Sequence, residues 1–150
     1  MKPRVLHSEI WLPKRLDEVF SFFADARNLQ AMTPGWLDFS ILTPGSIVMQ
    51  PGTRIDYRLR LRGFPIRWQS EITAWDPPHR FVDEQRRGPY TLWAHEHLFK
   101  ARDNGTSVED SVRYAVFGGK LVDWLFVRRD VERIFQFRRE KLQSLFGQAL

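Results

Sequence analysis

The chain has no cysteine. That excludes a disulfide framework, a thiolate metal site and a cysteine nucleophile. No apolar run approaches the roughly 20 residues that a membrane-spanning helix needs. Residues 1–12 also lack a signal-peptide pattern, so a soluble cytoplasmic protein is expected. No serine sits in a nucleophile context, which argues against hydrolase triads. Nor is there a dinucleotide fingerprint, and no cofactor is expected. Lysine is scarce beside arginine, and the net charge is +5. No zinc-finger spacing or RNA-binding aromatic motif accompanies that charge, so no specific nucleic-acid partner is expected. Arg54, Arg58, Arg60 and Arg62 instead alternate with Ile55, Tyr57, Leu59 and Leu61, the pattern of a half-exposed strand.

What the chain does have is rings, with 12 phenylalanines and 6 tryptophans in 150 residues. This length suits one domain with a sizeable core, and the rings imply an aromatic core or an aromatic cavity wall. The organising stretch is residues 119–146. Gly118-Gly119 marks its start, and neither Pro nor Gly interrupts it beyond Lys120. At about 100° per residue, Trp124, Val127, Val131, Ile134, Phe135, Leu142, Leu145 and Phe146 share an arc of roughly 120°. One helix of about 40 Å is predicted, with that arc against the rest of the chain. Arg138 projects from the middle of the arc and needs a partner: Asp83, Asp110 or the acidic head of a ligand. The alternative is that its head snorkels to solvent past the helix edge.

Upstream, residues 5–12 alternate as a strand, and residues 15–24 and 25–32 read as two short helices. Residues 36–42 are predicted as the second strand. A meander follows over 53–62, 64–75, 80–87, 90–102 and 106–117, each junction marked by Gly, Pro or Asn-Gly. The order implies an α+β fold, a curved antiparallel sheet of about seven strands around the long C-terminal helix. A two-residue turn at Asn104-Gly105 would set Phe99 opposite Asp110, His97 opposite Val112 and His95 opposite Tyr114. A three-residue turn over residues 88–90 would set Gln85 opposite Trp93 and Asp83 opposite His95. Paired residues share a face, so these residues together line the face turned to the helix.

The elbow over residues 19–29, the segment 33–39 and above all the run 78–90 continuing through Trp93, His95, His97 and Phe99 resemble the SRPBCC superfamily. These are the START, Bet v 1 and polyketide-cyclase-like proteins, and the match is to their small bacterial ligand-binding members. The resemblance covers nearly all of residues 1–150. It implies a helix-grip fold with two short helices between strands 1 and 2. It also implies a cavity between sheet and helix for a small hydrophobic or amphipathic molecule.

The expected function is binding or transport of such a ligand. The candidate ligand-binding residues are Asp83, Gln85, Trp93, His95, His97, Phe99, Asp110, Tyr114, Ile134, Phe135 and Arg138. If Arg138 points inward, the expected ligand is apolar with one anionic or carbonyl-bearing end. The alternative is a cyclase or dehydratase acting on a polyketide-like or aromatic substrate. There a His95–Asp83 pair would serve as an oriented base, with Tyr114 and Arg138 as oxyanion stabilisers. His95 and His97 have a spacing that suits zinc, but histidine and aspartate hydrogen-bonded beneath a ligand need no ion, and no metal is expected. A third reading, a membrane- or protein-docking module, rests on Leu121, Val122, Trp124, Leu125, Phe126 and Val127, which are apolar nearly all round.

Overall fold

The computed structural model describes residues 2–147. Strand β1 (Arg4–Leu12) leads into helix α1 (Leu16–Ala24), a 3-10 helix over Ala26–Met32 and a 3-10 turn over Gly35–Leu37. A two-residue strand β2 (Ser40–Ile41) precedes β3 (Arg54–Leu61), β4 (Phe64–Asp76), β5 (Arg80–Arg87), β6 (Tyr90–Arg102) and β7 (Gly105–Val116). The seven strands make one antiparallel sheet in the order β1-β7-β6-β5-β4-β3-β2. Sequential hairpins build the sheet from β2 to β7, and β1 returns to pair with β7. Register shifts in β4, between Gln69 and Ser70 and between Ile72 and Ala74, and in β6, between Tyr90 and Leu92, interrupt the ladder. Such bulges add local twist and bend, which lets a long sheet wrap a helix.

The helix that it wraps is α3 (Arg128–Phe146), which buries Val131, Phe135, Arg138 and Leu142. Steps of four, three and four residues keep these on one stripe. The predicted single helix over residues 119–146 is divided. A four-residue helix α2 (Gly119–Val122) and a π turn over Asp123–Val127 precede α3. The cause is a buried carboxylate. Asp123 is 2% exposed and accepts a 2.8 Å hydrogen bond from the Tyr114 hydroxyl, with Arg128 Nη2 at 3.5 Å. The wider π turn changes the angular phase of the residues within and before it relative to α3. Trp124, assigned to the buried arc, is 66% exposed as a result, and Leu121, Leu125 and Phe126 also face solvent. At the far end Leu145 is exposed as well.

Two further expectations differ from the structure. Residues 36–42 form a strand only at Ser40–Ile41, because Gly35–Leu37 coils into a 3-10 turn ended by Asp38 in a left-handed conformation (φ 47°). The β6–β7 turn is centred on Asp103-Asn104, both with positive φ (50° and 62°), and not on Asn104-Gly105. This is the geometry that a two-residue hairpin of right-twisted strands demands. Moving the turn by one residue moves the pairing by two. His97 therefore faces Asp110, His95 faces Val112 and Phe99 faces Val108. A shift of two preserves the side-chain face, and Asp83 does lie opposite His95.

Aromatic packing closes the sheet against the elbow. Phe20 and Phe23 of α1 meet Phe99 with ring centroids 5.1 and 5.0 Å apart. Val112, Tyr114 and Val116 pack beneath Val131 and Phe135. A third group, Leu37, Phe39, Ile55, Tyr57, Leu59 and Trp68, covers the sheet's other half and does not fill it.

Candidate functional site

Between these groups lies a cavity of about 180 Å³. Its walls come from the elbow (Phe23, Leu29, Met32), from β3 and β4 (Tyr57, Leu59, Trp68, Ser70, Ile72), from β5 and β6 (Phe81, Asp83, Trp93, His95, His97) and from α3 (Ile134, Phe135, Arg138). Ligand pockets are mostly apolar with a few placed polar groups, and here the polar groups gather in one cluster.

His95 and His97 point to the same face of β6, and their rings stack with centroids 3.6 Å apart. His97 in turn stacks on Phe81 at 3.9 Å. Each imidazole then reaches diagonally past its register partner. His95 Nε2 lies 2.8 Å from Asp110 Oδ1, and His97 Nε2 lies 2.7 Å from Asp83 Oδ2. The expected His95–Asp83 pair is thus replaced by two crossed pairs, because the twist of the sheet leans each ring along its strand.

Arg138 points inward and is 5% exposed. Its Nε donates to Asp110 Oδ2 at 3.2 Å and its Nη2 to Asp110 Oδ1 at 3.1 Å, a two-point clasp. Nη2 also lies 3.3 Å from His97 Nδ1, so that nitrogen accepts, and His97 Nε2 carries the proton given to Asp83. His97 Nδ1 is 3.4 Å from Asp110 Oδ1 as well, but with the guanidinium N–H between them both atoms are acceptors. The guanidinium also lies over the rings of Phe23 and Phe135, at 5.1 and 6.0 Å. Of the partners considered for Arg138, Asp110 is the one that holds it.

The electrostatics follow from burial and pairing. Burial alone would raise the Asp110 pKa, but the Arg138 charge and the hydrogen bond from His95 hold it well below the usual carboxylate range. Asp83 is likewise lowered: the His97 hydrogen bond and the nearby His95, His97 and Arg138 outweigh its desolvation. Burial, then the neighbouring His97, brings the His95 pKa down to about 4 against the pull of Asp110. His95 is therefore neutral at pH 7, with Nε2–H given to Asp110. Its Nδ1 has no hydrogen-bond partner among the described residues, and the side chain lines the cavity.

On the β3–β4 wall beside Asp83, Trp68 Nε1 donates to Ser70 Oγ at 3.0 Å, and the Tyr57 hydroxyl shares a 2.6 Å hydrogen bond with the same oxygen. Burial, then the Asp83 charge, pushes the Tyr57 hydroxyl pKa up, so it keeps its proton.

Seven of the eleven sequence-derived candidates therefore line the cavity: Asp83, Trp93, His95, His97, Ile134, Phe135 and Arg138. Four stand behind it. Gln85 brackets the Tyr90 backbone with two hydrogen bonds (2.7 and 3.0 Å) and so holds the β5–β6 turn. Phe99 is fully buried in the core. Asp110 lies beneath the two histidines. The Tyr114 hydroxyl, raised to about 12 by burial and Asp123, is spent on that carboxylate rather than on a ligand. Sequence reasoning missed the Tyr57, Trp68 and Ser70 wall. Carrying the hairpin pairing across the Gly63 turn places Tyr57 opposite Trp68 and would have found it.

Asp83, His95 and His97 are also the described residues whose donor atoms come close enough, within 4.8 Å, to hold an ion. Both Nε2 atoms already face carboxylates, and Arg138 lies 3.3 Å from His97 Nδ1. A cation here would have to displace those contacts.

A curved seven-stranded sheet gripping a C-terminal helix, with an aromatic cavity between them, is the helix-grip fold of Bet v 1-like proteins. Residues 12–139 match the family described as polyketide cyclase/dehydrase and lipid transport, and the chain belongs to that family, within the SRPBCC superfamily. Solved structures share the fold at low identity. An aromatase/cyclase from a Streptomyces species superposes with a TM-score of 0.72 at 16% identity, over 95% of this chain and 93% of that one. Ginseng major latex-like protein 151 from Panax ginseng gives 0.70 at 12%, over 97% and 99%. A protein from Mycobacterium smegmatis gives 0.70 at 16%, over 97% and 96%. No curated protein matches in sequence.

Proposed function

We propose that the chain binds, and carries or presents, a small hydrophobic or amphipathic molecule in the cavity between the sheet and α3. The observation that carries this reading is the distribution of polarity. The walls are rings and aliphatic chains, while the polar side chains at one side are locked to one another by hydrogen bonds. Such a cavity supplies apolar burial for a ligand body and a few fixed contacts for its head. Trp68 and Trp93 line it, so occupancy is readable by intrinsic fluorescence. Native mass spectrometry of protein purified from its own host should show a small apolar molecule travelling with the chain. Stripped protein should take up an environment-sensitive apolar dye saturably at one site. Absence of both would overturn the reading.

A second reading, cyclase- or dehydratase-like proton transfer, draws on the Asp110–His95 pair, which leaves His95 Nδ1 without a partner among the described residues. An imidazole with a pKa of about 4 stays unprotonated at pH 7 but is a weak base. It suits hydrogen-bond acceptance better than proton abstraction. His95→Gln separates the two readings. A binding protein keeps most of its affinity, whereas an enzyme loses turnover with its ligand still bound.

A further inference from the structure

We infer that the cavity selects an uncharged head group that donates a hydrogen bond, a phenol or an alcohol, and turns carboxylates away. This rests on the binding reading above and adds the chemistry of the ligand's polar end.

Three observations lead there. Arg138 is the cation at the cavity wall, and its charge is already committed: both Nε and Nη2 clasp Asp110. Its remaining nitrogen, Nη1, is a donor on a guanidinium whose charge is balanced. Asp83 stands beside it, so two carboxylates face one guanidinium, and the two histidines are hydrogen-bonded as neutral rings. The polar side of the cavity is thus acidic on balance. In a cavity walled mostly by apolar groups, an incoming carboxylate meets the Asp83 charge with less screening than in bulk water.

Next come the unspent acceptors. Asp83 gives Oδ2 to His97, leaving Oδ1 without a partner among the described residues. His95 gives Nε2 to Asp110 and leaves Nδ1. Both side chains line the cavity. Two vacant acceptors, one of them anionic, call for a proton donor, and a donor–carboxylate hydrogen bond is of the stronger, charge-assisted kind.

The third observation is a count of protons on the adjoining β3–β4 wall. Tyr57, Ser70 and Trp68 bring three polar hydrogens and make two hydrogen bonds among themselves. Whichever hydroxyl donates in the 2.6 Å Tyr57–Ser70 contact, one O–H is left over. It can serve the oxygen of the same head group or a second oxygen elsewhere on the ligand. A hydroxyl, which donates and accepts, matches this wall and the acidic cluster together; a carboxylate matches only the wall.

The test is a set of bicyclic probes of one shape, titrated into the intact protein at neutral pH by tryptophan fluorescence and calorimetry: naphthalene, 2-naphthol, 2-methoxynaphthalene and 2-naphthoate. 2-Naphthol should bind about tenfold or more tightly than 2-methoxynaphthalene, which has the same oxygen and no proton, as one hydrogen bond to a charged acceptor implies. 2-Naphthoate should bind more weakly than naphthalene itself. Asp83→Asn, checked for an unchanged near-ultraviolet spectrum, should reduce the naphthoate penalty and the naphthol advantage together. Naphthoate binding as tightly as naphthol, or methoxynaphthalene matching naphthol, would overturn the head-group inference while leaving the binding reading intact. Failure of all four probes, naphthalene included, would remove both.

Discussion

The two parts of the C-terminal helical run differ in composition, and their burial runs opposite to it. Residues 121–127 are apolar at six of seven positions, yet Leu121, Trp124, Leu125 and Phe126 remain on the surface. The α3 segment is full of arginine and glutamate, yet it buries Val131, Phe135 and Leu142, and an arginine with them. Apolar content alone did not decide burial. A facing surface did: α3 meets the concave sheet, while the π turn pinned by Asp123 swings its predecessor away from it. A buried ion pair is tolerated in α3 because Asp110 is already desolvated and in reach, where a lone guanidinium would not be.

The contrast is broken most severely at Arg138. Arg138→Met leaves Asp110 buried and uncompensated and should cost about 3–5 kcal/mol, read as a lower urea midpoint. Arg138→Met combined with Asp110→Asn should recover part of it. If the single variant is as stable as the parent, the clasp contributes nothing to folding. Truncating the docked stripe should rank next. Leu142→Ala, at a fully buried site, should cost about 2–5 kcal/mol. Ile134 is only half-buried at the cavity wall, so Ile134→Ala should cost less than Leu142→Ala.

Acid should then act on the docked half through His95. The unfolded chain takes up that proton near 6.5 and the folded one near 4. Between those values the unfolded state holds more protons, so stability falls as pH drops from about 6.5 to 4. The loss is on the order of 3 kcal/mol when complete. The lowered Asp83 and Asp110 add to it at more acid pH, as their carboxylates protonate. Stability flat across this interval, followed by urea titrations at several pH values, would show that His95 is not held neutral. At the small end, Leu125→Ser on the exposed segment should shift stability by about 0.5 kcal/mol or less. Dialysis against a chelator should leave the melting temperature unchanged. Stoichiometric zinc lost on His97→Ala would show that the crossed pairs yield to an ion.

Alternation and turn residues were enough to place the meander, the elbow and the helix, because the two side-chain periods are local properties of the chain. They also brought Asp83, His95, His97 and Arg138 to one face, since parity survives a hairpin misplaced by one residue. Three things lay beyond them. Which carboxylate each histidine takes depends on strand twist, which leans side chains past their register partners. Where the helix breaks depends on Asp123 finding Tyr114, nine positions away in sequence and on another element. Whether Arg138 reaches for a ligand or for Asp110 depends on a distance across the cavity floor. Each of these is a contact between elements, and a contact between elements exists only once the sheet has closed around the helix.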